Sequence, residues 1–156
     1  MFDQVRRKNR EWNIEEAREL LLSGEYGTLS MFGENGYGYG IPMSYAMDGD
    51  KIYFHCAPEG FKLNSLKINN KVSFSVVGKT KVLPGQFSTE YQSVLVFGKI
   101  EMNLPDEEKK YALNLIVDKY SPDHKDAAEK YISKSFNRTN VIRLDIEHIS
   151  GKHKEI

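Results

Sequence analysis

The chain has 156 residues, 40% hydrophobic and 28% charged, with 22 basic and 22 acidic side chains and a formal net charge of zero. That length predicts one domain, residues 1–156, large enough to bury a core, and the balanced charge leaves no basic footprint for nucleic acid. A single cysteine excludes an internal disulfide, and no apolar run approaches a membrane span or a signal core, so the chain reads as soluble and cytoplasmic.

In chain order, Met1–Asn13 carries Arg6, Arg7, Lys8 and Arg10 and reads first as a solvated arm. Asn13 is placed to cap a helix whose first turn holds Glu15 and Glu16. Ile14, Ala17, Leu20 and Leu21 recur at helical spacing, so Ile14–Ser23 is expected as a helix with one apolar face, ended by Ser23-Gly24. Tyr26–Phe32 reads as a strand, Glu34-Asn35-Gly36 as a turn, and another strand follows. Gly36, Gly38 and Gly40 form a G-x-G-x-G string. A dinucleotide loop needs a helix after it, and a proline-containing extended run follows instead, so that reading is rejected. The glycines relieve crowding or let a flat ligand approach the backbone.

Tyr39–Val77 organises the rest. Its first run contains Pro42, which cannot donate a ladder hydrogen bond and implies a sheet edge or irregularity. Asp48-Gly49 is a strong hairpin signal before Lys51–Cys56, and suggests a type I′ turn. His55 and Cys56 are neighbours on a strand and face opposite ways, which excludes a Cys–His catalytic pair. Ala57–Gly60 reads as a loop and Lys62–Asn69 as a helical turn. Free N–H groups at a helix start attract anions, and Lys62 adds a full positive charge there. Its bland reading is a solvated lysine. A strand follows from about Lys71 to Val77.

Gly78–Ser88, with Pro84 and Gly85, reads as a loop. Tyr91–Met102 reads as a long strand whose centre, Val94–Phe97, lacks alternation and so is expected to be buried on both faces. Pro105–Tyr120 is expected as a helix with an acidic first turn and an apolar side at Tyr111 and Leu115. A second helix should run from Ser121-Pro122 to about Phe136, with Ala127, Ala128, Tyr131 and Ile132 inward. Asn140–Ile149 is a strand and Gly151–Ile156 a charged tail. His148 and His153 form no recognisable metal set. The tally is a mainly β, α+β protein with six or so strands and flanking helices, since the elements do not alternate as a doubly wound sheet requires.

Several stretches carry a resemblance. They are Arg6-Arg7-Lys8, Gly40–Tyr45, Ile52–Ala57, Gly60-Phe61-Lys62-Leu63, Tyr91–Gly98, and Val141–Ile146 with Gly151-Lys152. In this order and spacing the chain resembles the FMN-binding split-barrel superfamily typified by pyridoxamine 5′-phosphate oxidase, and within it the nitroimidazole-resistance branch. The resemblance implies a six-stranded split β-barrel with flanking helices, and a homodimer with FMN at the subunit interface. It implies cofactor contacts from Ile41, Pro42, Met43, Ser44, Phe54, His55, Cys56, Phe61, Lys62, Ser65, Gln92 and Ser93. Lys62 matches the lysine that binds the FMN phosphate, and Gln92 and Ser93 would come from the partner subunit. Two positions depart from the oxidase branch, which has phosphate-binding arginines at or near Phe61 and Tyr39.

Three functions follow from the resemblance. The first is an FMN-dependent, nitroreductase-like oxidoreductase that acts on a small electrophile and draws electrons from a nicotinamide cofactor or another donor. The second is a flavin or haem carrier or sensor without turnover. The third is an oxidase of pyridoxamine phosphate itself, disfavoured because Arg138 and Arg143 do not reproduce the expected late arginine-and-histidine pattern. No residue is assigned a catalytic role.

Overall fold

A computed structural model describes residues 2–155. One helix, α1 (Ile14–Ser23), precedes a pair of strands, β1 (Gly27–Phe32) and β2 (Gly38–Met43). Then come β3 (Ala46–Asp48), β4 (Lys51–Cys56), α2 (Phe61–Ile68), β5 (Lys71–Leu83) and β6 (Ser88–Glu101). Helices α3 (Asp106–Tyr120) and α4 (Lys125–Ser135) lead to β7 (Asn140–Lys154). All the strand pairs are antiparallel, in one sheet of order β2-β1-β5-β6-β7-β4-β3.

The sheet thus has seven strands rather than six, and its strand order is open rather than closed into a barrel. The extra strand arises where Tyr39–Asp48 breaks in two. The Tyr45 N–H donates to the Tyr120 hydroxyl at 2.9 Å instead of to a neighbouring strand. The chain before the break pairs with β1, and the chain after it pairs with β4. Pro42 sits on β2, an edge strand, where its missing donor is harmless.

Local sequence explains most elements. Asn13 caps α1, its side chain accepting from the N–H of Glu15 at 2.8 Å and of Glu16 at 3.3 Å. Ala17 and Leu21 of α1 are fully buried against the sheet, whose inner face contributes Leu29, Ile52, Phe54, Phe74, Val94, Val96, Ile142 and Leu144. Helix α3 covers a smaller cluster of Tyr53, Ala112, Leu113 and Val141. Its Glu108 carboxylate is anchored by Arg143 at 2.7 Å and by the Tyr53 hydroxyl at 2.9 Å. Arg143 also pairs with Asp145, so it is committed to holding α3 on β7.

Several expected boundaries move. The β3–β4 turn is centred on Gly49-Asp50, since Asp48 pairs with Lys51. Only Gly49 has positive φ, +57°, so the turn is not type I′ and has the φ signature of type II′. The expected loop 78–88 is mostly strand, because β5 and β6 continue as a ribbon after a register shift between Val77 and Thr80. Its tip is Pro84–Gln86 followed by Phe87, which is 99% exposed at φ +49°. The expected tail is also strand: Gly151–Lys154 pairs with Tyr91–Val94.

Burial along β6 alternates, with Val94 and Val96 inside and Leu95 and Phe97 half-buried on the opposite face. The N-terminal arm is packed on that opposite face. Phe2 stacks on Phe97 at 5.3 Å and on His148 at 5.1 Å, and Val5 is buried. The run of cations in the sequence obscured these apolar anchors. In α4, Tyr131 and Ala127 are exposed, while Ala128 and Ile132 are half-buried. A turn of 3₁₀ helix at Pro122–His124 shifts the helix phase from the expected one. Tyr111 is also exposed, its hydroxyl donating to Asp48 at 2.8 Å.

Candidate functional site

Helix α2 begins abruptly. Gly60 is its N-cap, at φ +133° and ψ 176°, a conformation open essentially to glycine alone. No side chain caps the helix, so the N–H groups of its first turn face outward without a protein acceptor from a cap. Lys62 lies in that turn. It is half-buried, and its Nζ approaches Met43 Sδ at 3.8 Å. Among the described residues no carboxylate forms a salt bridge with it.

Three elements therefore meet at one mouth: the end of β2 at Met43, the end of β4 at His55-Cys56, and the start of α2 at Lys62. The Lys62 charge acts on both residues at the end of β4. Partial desolvation, and then the nearby Lys62 charge, hold the His55 imidazole below its usual range. Burial pushes the Cys56 thiol up, against the pull of Lys62 and of hydrogen bonds with Asn140 and Lys62. A raised thiol is a poor nucleophile at neutral pH. His55 is exposed and Cys56 packs toward the core, so the two face opposite ways.

The other expected residues divide clearly. Ile41 and Met43 are half-buried on the inward side of β2, while Pro42 and Ser44 are exposed. Phe61 packs edge-on against Tyr39, ring centroids 4.8 Å apart. Phe54 is in the core, edge-on to Phe74 at 5.1 Å. Ser65 is fully buried and its Oγ accepts the Glu34 N–H at 3.0 Å, which ties α2 to the β1–β2 turn. Gln92 and Ser93 lie on β6, three strand positions from β2, about 14 Å along the sheet.

Sequence reasoning passed over Tyr39 as a packing residue, and Asn140 as the partner of Cys56. The first carried no signal beyond an aromatic in a strand. The second lies in another strand, and its pairing with Cys56 comes from the β4–β7 register. His148 and His153 are taken up by rings, His148 by Phe2 and His153 by Trp12 at 5.8 Å. Among the described residues no three His, Cys, Asp or Glu side chains gather as metal ligands do. No described helix is long and apolar enough to cross a membrane.

An anionic group fits this mouth. It offers a half-buried cation without a carboxylate partner and unfilled backbone donors at a helix start. The soft, half-buried flank of Ile41 and Met43 suits an apolar ring beside that anion.

A family model described as Pyridoxamine 5′-phosphate oxidase matches residues 13–153. No curated protein matches the chain. Among solved structures, a candidate 5-nitroimidazole antibiotic resistance protein from Bacteroides thetaiotaomicron superposes with a TM-score of 0.73 at 23% identity, covering 90% of this chain and 83% of that one. The flavocytochrome Anf3 from Azotobacter vinelandii gives 0.82 at 20% identity, covering 98% and 73%. An FAD and heme binding protein from Mycobacterium smegmatis gives 0.81 at 21% identity, covering 94% and 74%. At such identities the likeness is one of fold.

Proposed function

The chain belongs to the pyridoxamine 5′-phosphate oxidase family, and from that premise we propose that it is a flavoprotein, an FMN-dependent oxidoreductase of the nitroimidazole-reductase type. The observation that carries the reading is Lys62, a half-buried cation at an uncapped helix start, beside Met43, His55 and Cys56 and without a salt bridge among the described residues. Flavins, FAD and a nitroimidazole-related function appear in the names of proteins with this fold. The bound flavin would supply hydride and electron transfer to a small electrophile such as a nitro compound, replenished by a nicotinamide donor.

This chain's own residues would bind and orient. Lys62 and the first-turn N–H groups of α2 hold the phosphate. Ile41, Pro42, Met43 and Ser44 lie along the ring, and His55 borders the mouth. Partial burial and the Lys62 charge favour the neutral imidazole of His55, which can accept or donate a hydrogen bond without adding charge. On this reading Gln92 and Ser93 reach the site from a second subunit in a cytoplasmic homodimer.

The test is the visible spectrum of the purified protein before and after adding FMN, with Lys62→Ala beside it. Flavin bands that weaken in the variant support the reading, and electron donors and nitro compounds are then screened. Absence of flavin bands and of FMN binding sinks it. A second reading, a carrier without turnover, is favoured by the flavocytochrome and heme-binding names among the fold neighbours. Bound FMN that no nicotinamide cofactor reduces would decide for it.

A further inference from the structure

The sulfur of Met43 has an unusual neighbour. Met43 is the last residue of β2, and the Lys62 ammonium lies 3.8 Å from its Sδ. The other described methionines differ. Met31 is inside the core, 5% exposed. Met47 and Met102 are half-buried against the core, as Met43 is. Among the described residues only Met43 has a charged donor at its sulfur.

A thioether is oxidised without first losing a proton. Its sulfur attacks one oxygen of a hydroperoxide, the O–O bond breaks, and the departing oxygen takes up negative charge and then a proton. With hydrogen peroxide the products are the sulfoxide and water; sulfur loses two electrons and the peroxide gains them. An ammonium 3.8 Å from the sulfur is close enough to hydrogen-bond the departing oxygen. It carries three N–H donors, and no salt bridge among the described residues occupies them. Cys56, the other sulfur at the mouth, is the slower target. A thiol reacts as its thiolate, and burial pushes the Cys56 thiol up.

The product changes the mouth. A thioether is a weak acceptor and apolar; a sulfoxide is polar, with an exposed oxygen. One S–O bond beyond Sδ, that oxygen comes within hydrogen-bond reach of the Lys62 amine. It would engage the cation offered to an anion and place a dipole on the apolar flank of Ile41 and Met43.

We propose that Met43 is a reversible oxidation site for hydroperoxides, and that its sulfoxide engages Lys62 and closes the mouth to anions. A methionine sulfoxide reductase restores the thioether. The modification stands on the geometry of Met43 and Lys62. Only its effect on FMN rests on the flavoprotein reading.

The probe is hydrogen peroxide, added to the purified protein, with sulfoxide at each methionine followed in time by tandem mass spectrometry. Met43 is expected to oxidise roughly tenfold faster than Met47 and Met102, the gain that one charge-assisted hydrogen bond to the departing oxygen supplies. Lys62→Leu is expected to remove that lead, and Lys62→Arg, which keeps a cation, to retain it. Capture of the amine is read without any cofactor: acylation of Lys62 by a succinimidyl ester should slow several-fold in the oxidised protein and recover after reductase treatment. FMN affinity should fall at least roughly tenfold on oxidation. Met43→Leu, a volume-conserving change whose fold circular dichroism checks, should carry its own FMN affinity through the same treatment unchanged.

Oxidation of Met43 no faster than of Met47 and Met102, or a lead that survives in Lys62→Leu, would overturn the assignment. So would Lys62 acylation that oxidation leaves unchanged, or an FMN loss that Met43→Leu does not prevent, which would point to Cys56. A Met43 lead with slowed Lys62 acylation, in a protein that takes up no FMN, would retire the flavoprotein reading and leave this one standing.

Discussion

The Tyr120 hydroxyl engages both backbone polar groups of Tyr45, accepting from its N–H at 2.9 Å and lying 3.0 Å from its carbonyl oxygen. One side chain from α3 thereby substitutes for a neighbouring strand at the break between β2 and β3. The same hydroxyl reaches the Glu25 carbonyl at 2.6 Å, so it also pins the chain that leads into β1. Tyr120→Phe leaves the Tyr45 N–H without its partner, at a cost of about 1–3 kcal/mol. Urea unfolding is expected to show a lower midpoint at unchanged m-value. An unchanged midpoint would mean that water replaces the hydroxyl without penalty.

Alkaline stability should be non-monotonic. Lys119 lies over the Tyr45 ring at 3.7 Å and donates to the Tyr45 carbonyl, and burial lowers its pKa to about 8 from 10.5. The unfolded chain keeps that proton up to about 10.5, so from pH 8 upward the unfolded state binds more protons and stability rises with pH. Tyr45 acts in the opposite sense. Burial first, and the Tyr120 neighbour second, hold its phenol well above the ordinary 10.0, so its contribution is present below pH 10 and is lost above it. The urea midpoint is expected to climb from pH 8 to about 10 and then fall. Lys119→Met should abolish the climb and keep the fall.

Gly60→Ala isolates backbone strain. A Cβ there meets nothing within 4 Å, yet φ is +133°, so the cost is conformational rather than steric. The expected loss is about 1–3 kcal/mol; on the flavoprotein reading proposed above, FMN affinity falls with it because the start of α2 shifts. A variant as stable as the parent would show that α2 can begin in another backbone conformation.

Gly98→Ala tests the opposite limit. Its Cβ would lie 2.2 Å from the Asp145 carbonyl oxygen and 2.7 Å from Leu144 Cδ2, at the register shift between β6 and β7. Backbone cannot yield as a side-chain tip does, so the variant is expected to lose folded, soluble protein or more than about 4 kcal/mol. Gly38→Ala, in β2 with nothing within 4 Å, is the control and should be near neutral or stabilising. Equal stability of the two variants would refute the close approach.

Local signals were legible where they act locally. Asn13 and Pro42 did in three dimensions what their chemistry implied, and Ala17, Leu20 and Leu21 of α1 face the core as their spacing implied, whereas Ile14 in the first turn is exposed. The break at Tyr45 was not legible, because its cause is Tyr120, 75 residues away. The ribbon beyond Val77 hid behind Pro84 and Gly85, whose turn is only its tip. In the site, the start of α2 and its lysine could be read from Gly60 and Lys62. The two departures, Phe61 and Tyr39, read singly as lost cations. In the fold they are one aromatic contact, so each accounts for the other. No spacing rule connects positions 39 and 61.

Among the described residues, strand β7 pairs with β6 on one side and β4 on the other, and alone links β2-β1-β5-β6 to β4-β3. It is also the seventh strand in chain order. On a nascent chain, β4 and β6 must therefore wait with bare edges while α3 and α4 are synthesised. Those edges are templates for pairing with other chains. Slow translation through 106–139 would lengthen that exposure, and chaperone dependence during synthesis is the cellular counterpart of a sheet closed by its last strand.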